Sequence, residues 1–346
     1  MKRILAYGPV LNSEIRAFIA AKKSETVPAD SWQTDFLRRL SPYATAGKLL
    51  RGSLVCYSYE AFGRQKPDQP VIKAAMALEL IHSALLIHDD VMDNDDFRRG
   101  KPSLHCQYQA VGRNRGLSDV NRFGANMAIC GADMCLFMAF GLLAEAPGAA
   151  NKLFTDMLSE VCDGQMQDIY LQAQTAVPSR QSIYSLMKAK TASYSLSLPL
   201  AAGAAMAGQS PITLRKLQRI GTAAGLIFQI RDDELGVMGN TAKTGKPVGA
   251  DIREGKKTLI YYYLMKTCDK IERHQLKTVF GNPEVSQDDI AAIQKLIKQR
   301  RIPQLLNTEV RRLENRALKI LTTLGLSHQA EAELKSLIDF CAKRQT

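Results

Sequence analysis

Apolar residues along the chain recur at intervals of three and four, and the alternation expected of strands is scarce. Long Ala-, Leu- and Met-rich segments at 71–92, 123–146, 150–174, 182–208 and 212–237 read as helices, followed by shorter amphipathic ones at 257–266, 287–301, 303–324 and 328–344. Pro147-Gly148, Pro178-Ser179 and Ser210-Pro211 punctuate them. No linker separates two compositional halves, and no short-period repeat stands out. The pattern predicts an all-α fold, a large helical bundle with residues 1–346 as one domain. Two stretches break the helical pattern and read as loops: 98–122, rich in glycine and arginine, and 240–255, polar with three glycines after position 244.

Composition narrows the class. With 346 residues, 46% of them apolar, the chain can bury a large core. Its seven cysteines are scattered and form no CxxC pair, so they read as free thiols in a reducing compartment, and a cytoplasmic location is expected. The opening MKRILAYGPVLNSE is basic, but Gly8, Pro9, Asn12 and Glu14 cut short a signal-peptide core. No apolar stretch is expected to reach the ~18 residues of a transmembrane span. The net charge of +12 admits nucleic acid, an anionic surface or a small polyanion. Dispersed basic residues and a single tryptophan argue against nucleic acid.

The chemistry concentrates where apolar helices end. IHDDVMDNDDFRRG (87–100) places five carboxylates in eight positions and two arginines directly after them. Asp89 and Asp93 lie four apart, so both project from one helical face, with Asp90 beside them. Acids at a helix C-terminus oppose the helix dipole and cost stability unless a cation sits among them. The pattern returns in FQIRDDELG (228–236), where Asp232 and Asp233 end another apolar helix. Two such clusters suit a hard divalent cation, best Mg²⁺ completed by water and phosphate oxygens. An EF-hand does not fit, because Phe97 stands where an oxygen ligand is due. GKLLRG puts Lys48 and Arg51 three apart on one face, and Arg98 and Arg99 follow the first acids. Such cations match phosphate oxygens. There is no Walker A loop and no GxGxxG, which argues against a nucleotide design.

Taken together, GKLLRG, HSALLIHDDVMDNDDFRRGKPSLH, GQMQD, KAKTASY, FQIRDDELG and TGKPVGADIREGKKT, in this order, resemble the motifs of the polyprenyl synthetase family of head-to-tail isoprenyl diphosphate synthases. The wording is most similar to bacterial and archaeal geranylgeranyl diphosphate synthases. The resemblance implies a homodimer of the isoprenoid-synthase helical fold with a central active-site cavity. It implies three Mg²⁺ ions held by Asp89 and Asp93, with Asp90 beside them, and by Asp232, with Asp233 as a further metal contact. Arg98, Lys190, Lys246 and Lys257 would grip the allylic diphosphate. Lys48, Arg51, His82 and Arg99 would hold isopentenyl diphosphate, and Thr191 and Gln229 would line the reaction centre. Gly52 stands in place of the family's usual proline, Leu49 in place of a frequent arginine, and Gly236 in place of the last aspartate of the second motif. Product length in this family depends on the tunnel below the first acids. Ile81, Ala84 and Leu85 are expected to wall it without an aromatic plug, and Phe137 and Phe140 to form its floor. That points to a C20 product, with a longer-chain synthase or a weakly active regulatory subunit as the alternatives.

Overall fold

A computed structural model describes residues 1–26, 28–63, 65–239, 249–282 and 284–343. About 79% of the chain is helical. By its internal contacts the chain divides into two compact units, Met1–Lys152 with Pro199–Ser210, and Leu153–Leu198 with Pro211–Thr346.

In chain order the helices are α1 (Lys2–Leu5), α2 (Tyr7–Glu25), α3 (Trp32–Ala44), α4 (Leu50–Gly63), α5 (Gln69–Met92), α6 (Leu104–Asn114), α7 (Val120–Leu143) and α8 (Gly148–Ala173). A two-stranded hairpin, β1 (Phe97–Arg98) and β2 (Lys101–Pro102), joins α5 to α6. After α9 (Arg180–Met187) comes a π-helical segment, Lys188–Ser197. Then follow α10 (Leu198–Met206), α11 (Pro211–Met238), α12 (Ala250–Arg253), α13 (Leu259–Thr267), α14 (Lys270–Val279), α15 (Gln287–Gln299), α16 (Ile302–Leu321) and α17 (His328–Ala342).

The first unit is built on α5. Asp68 caps its start by accepting from the Val71 amide at 3.2 Å, and Pro70 fits the first turn, where no amide is needed. The helix is apolar almost all round, as a central helix must be. α7 lies along it and buries the small residues Ala128, Ala132, Cys135 and Ala139; Cys135 Sγ donates to the Leu80 carbonyl at 3.2 Å, while Gly131 packs on Phe36 of α3. By length and composition both α5 and α7 could cross a membrane, contrary to the expectation that no segment would. That expectation counted unbroken apolar runs, and single polar residues such as Glu79 and His82 interrupt the run without offsetting its mean hydropathy.

The stretch 98–122 holds a hairpin and a helix where a loop was expected. Its glycines hid an i, i+4 stripe, Leu104, Tyr108 and Gly112, which is buried. The expected helix 182–208 is three pieces in succession: α9, the π segment and α10.

In the second unit, α11 runs along the π segment, α16 and α17. Glu309 of α16 is buried and gathers four donors: Arg180, Tyr184 at 2.9 Å, Tyr263 at 2.8 Å and Arg312 at 3.2 Å. Burial would raise its pKa, but the hydrogen bonds from Tyr263, Arg180 and Tyr184 outweigh that and hold the carboxyl below the ordinary glutamate value. Because the folded pKa is depressed, this stabilisation is present above the unfolded glutamate range and is lost as pH falls through the folded value. Glu309→Ala is expected to destabilise the protein by about 2–3 kcal/mol, below the usual cost of breaking a sealed pair because both arginines keep solvent contact. Urea unfolding of the two proteins at neutral pH and near pH 4 checks this, and the gap between them should narrow in acid.

Candidate active site

The first acidic cluster lies at the C-terminal end of α5. Asp93 caps the helix, its amide bonded to the Asp89 carbonyl at 2.8 Å. Asp89 and Asp93 keep partial exposure, whereas Asp90 is sealed at 1%. Asp90 Oδ1 accepts from both Nε (2.7 Å) and Nη2 of Arg98, and Oδ2 accepts from the Tyr43 hydroxyl at 3.2 Å. Arg98 Nη2 also reaches Asp95 at 3.1 Å. Two expectations change here. Asp90 is committed to protein donors, so it is not a metal ligand in this arrangement. Arg98 is engaged by Asp90 and Asp95 and clamps the acidic loop.

That clamp orients Arg99. The hairpin turns on Arg99 and Gly100, with φ of +54° and +73°. Two positive φ values in a two-residue loop suit the type I′ turn that matches the strand twist. Glycine takes this conformation freely and arginine does so at a cost, a strain typical of functional sites. Arg99 Nη1 donates to the Ala46 carbonyl at 2.5 Å, and its guanidinium lies against Gly47. This draws it to the loop that carries Lys48, which is exposed.

Arg51 and His82 belong to the same neighbourhood. His82 is buried, and its pKa is pushed well below 6.5 by burial first, then by the positive charges of Arg51, Arg99 and Arg98. The structure thus brings together three of the four residues assigned to one diphosphate, and keeps the imidazole neutral. A fifth member went unforeseen. Glu79 is buried and accepts from the Gly52 amide at 2.7 Å. Burial raises its pKa, opposed by Arg51 and that amide. The glycine in place of proline now has a reason, since proline has no amide to give. A Cβ there would also meet Leu11 at 2.8 Å and the Ala75 carbonyl at 2.9 Å. As the single acid in an otherwise apolar helical run, Glu79 was a visible signal.

In the second unit Asp232 and Asp233 lie within the last two turns of α11, which runs on to Met238 rather than ending at the acids as expected. Asp233 is buried, accepts from Gln229 Nε2 at 2.7 Å, and has a pKa raised far above the ordinary aspartate value by burial, then by Asp251 and Asp232. Asp251, from α12, fills the space beside Gly236. A Cβ on Gly236 would meet the Asp251 carboxylate, with Cγ at 2.8 Å. Asp251 therefore brings a carboxylate to the spot where the second motif lacks its last aspartate. GADIREG was noted as a motif, but its aspartate was assigned no role. Crowded acids of this kind suit a divalent cation, whose charge would offset their repulsion.

Lys190 and Thr191 sit in the π segment, a deviation from α-helix that recurs at functional sites. Lys190 donates to Asp168 at 2.6 Å. Lys257 donates to the Gln174 carbonyl, and burial lowers its pKa. Lys246 lies outside the described residues.

The tunnel residues divide. Ile81 and Ala84 are 1% and 0% exposed and sealed, Ala84 lying beside Cys135. Leu85, four residues before Asp89, keeps partial exposure. Phe137 and Phe140 are 72% and 46% exposed, on the side of α7 away from α5. They form no floor beneath Ala84 within a single chain, because the small residues of α7 are the ones that face α5.

Helix ends loaded with carboxylates and followed by arginines define a class of metal-assisted enzymes that act on diphosphates. The sequence profile of the polyprenyl synthetase family matches residues 34–297, and the chain belongs to that family of prenyltransferases. It is 34% identical to a short chain isoprenyl diphosphate synthase of Methanocaldococcus jannaschii over 73% of this chain and 72% of that one. It is 28% identical to a geranylgeranyl diphosphate synthase of Sulfolobus acidocaldarius over 88% of each chain. A geranylgeranyl pyrophosphate synthase of Corynebacterium glutamicum, solved with isoprenyl diphosphate and magnesium, superposes with a TM-score of 0.92 at 29% identity, covering 98% of both chains.

The depressed pKa of His82 has a measurable sign. The unfolded chain takes up a proton near pH 6.5 that the folded form refuses, so this residue's contribution lowers stability as pH falls below that value. In histidine-labelled protein, the His82 ring resonances should stay those of the neutral imidazole well below the pH at which the exposed histidines titrate.

Proposed function

We propose that this prenyltransferase condenses isopentenyl diphosphate with dimethylallyl, geranyl and farnesyl diphosphates to make geranylgeranyl diphosphate. The reaction depends on Mg²⁺ and releases diphosphate. The observation that carries the reading is the end of α5, where Asp89 and Asp93 stay accessible while Asp90 is used up in clamping Arg98. Residues 1–346 are read as one catalytic domain, a reading supported by the family profile over residues 34–297.

The donors present suit the metal. Asp89 and Asp93, and Asp232 with Asp233 and Asp251, would hold Mg²⁺, three ions in all. Bound there, Mg²⁺ supplies positive charge where the departing diphosphate gains negative charge. Lys48, Arg51 and Arg99 bind the diphosphate of isopentenyl diphosphate, and neutral His82 stands by them without adding charge. Lys190, Lys257 and Lys246 bind the allylic diphosphate, with Thr191 and Gln229 along the reacting carbons. Arg98 acts through Asp90 and the hairpin. As the allylic C–O bond breaks, the double bond of isopentenyl diphosphate attacks the carbocation and a proton is lost. Leu85, one turn before Asp89, walls the path of the growing tail. Seven free thiols support a cytoplasmic location.

Incubation of the purified protein with isopentenyl diphosphate and each primer, with chromatography of the dephosphorylated products, tests the reading. The main product should be C20, and a longer or shorter one would replace it. Asp89→Ala or Asp93→Ala should lower turnover about a thousandfold, equivalent to ~4 kcal/mol of transition-state stabilisation, with far-ultraviolet circular dichroism unchanged. Leu85→Phe should shift the product towards C15. Ala84→Phe is expected instead to destabilise the fold by about 1–3 kcal/mol, because the ring has no space beside Cys135.

The homodimer is part of the same proposal. Ile129, Phe137 and Phe140 expose their side chains on one side of α7, a large apolar face for a chain alone. Phe137→Asp should yield a monomer by light scattering, and an unchanged mass would put the interface elsewhere.

A further inference from the structure

We propose that Asp96, His105 and Cys106 form a binding site for a zinc-class divalent ion, distinct from the acidic helix ends. The three offer one ligand atom each, all within 4.8 Å of one another. Cys106 Sγ lies 3.3 Å from Asp96 Oδ1 and 3.4 Å from His105 Nε2. With zinc–sulfur bonds of about 2.3 Å and zinc–nitrogen or zinc–oxygen bonds of about 2.0–2.1 Å, tetrahedral geometry separates sulfur from its neighbouring ligands by about 3.5 Å. The sulfur is already at that spacing from both partners.

The surroundings prepare the imidazole. His105 is buried, and its Nδ1 lies 3.1 Å from the Ser103 hydroxyl. A proton on Nδ1 directed at Ser103 leaves the Nε2 lone pair free on the side of Cys106. This outer hydrogen bond is the usual way a ligating histidine is oriented. The backbone holds the carboxylate in turn. The Ser103 amide donates to the Asp96 carbonyl at 2.9 Å, closing the hairpin between them. Asp96 is exposed and Cys106 partly so, which gives an ion a way in and leaves a fourth position for water.

The donor set also selects its ion. Thiolate and imidazole favour zinc and its borderline neighbours, whereas Mg²⁺ takes oxygen ligands. Without metal, Cys106 is a thiol that donates to Asp96. On binding, the S–H proton leaves to solvent and the sulfur's electron pair goes to the ion. Occupancy would tie the start of the Arg98–Arg99 hairpin to the first turn of α6, a second clamp beside the one made by Asp90.

Cobalt(II), titrated into chelator-stripped full-length protein in Mg²⁺-free buffer, is the probe. One equivalent should give a thiolate-to-cobalt charge-transfer band, removed by added zinc. The helix-end carboxylates cannot give this band, because they offer only oxygen. Cys106→Ser should abolish it, and Ser103→Ala should weaken cobalt affinity about tenfold or more. The double variant Cys130→Ser, Cys162→Ser, which removes the two exposed thiols, should keep the band. His105 is buried, so a His105→Gln variant that fails to fold leaves the decision to Cys106, which is partly exposed. Absence of the band in the parent protein, or its persistence in Cys106→Ser, would overturn the proposal.

Discussion

The buried pairing of Asp90 with Arg98 is the interaction on which the first half of the site depends. A charge sealed at the end of an apolar helix needs a partner, and the nearest one is eight residues on. Satisfying it folds the acidic loop back, starts the hairpin and leaves Asp89 and Asp93 partly exposed. Arg99 then has one place to go, a turn that arginine would not adopt unaided. The two arginines thus differ in what holds them: Arg98 is taken by two carboxylates of the acidic loop, and Arg99 by the Ala46 carbonyl across from it.

The helical class and most long helices were legible, because α5, α7, α8 and α11 carry apolar periodicity over more than five turns. Helices that stay marginal in pattern were not. α2 carries Gly8 and Pro9 in its first turn, where a proline is tolerated because the first amides have no intrahelical acceptor. α6 was hidden by Gly112 within it and by Gly100 and Gly116 on either side, and the π segment cannot be told from an α-helix by periodicity. Within the site, the carboxylate clusters and their arginines stood out by charge. What each side chain faces did not. Asp89 and Asp90 are neighbours in sequence and opposites in burial, a difference set by helical phase against α3 and the hairpin. Phe137 and Phe140 show the same limit: the residue types were right for a floor, but the helix turns its small residues inward.

Two kinds of metal chemistry can coexist on one short stretch of chain because they use different donor sets. From Asp89 to Cys106 the sequence passes from paired carboxylates, suited to a hard ion, to a carboxylate, imidazole and thiol, suited to a borderline one. The arginine hairpin lies between them and is anchored at both of its ends.

The contact between Gly236 and Asp251 constrains how this sequence can change. A side chain gained at 236 would press on the Asp251 carboxylate, which is the far end of a rotatable side chain and can swing aside. The position is therefore crowded rather than closed, and an exchange there would be admitted by re-aiming Asp251. A residue fifteen positions downstream is in this way coupled to a motif it does not belong to, so a change at either position is felt at the other.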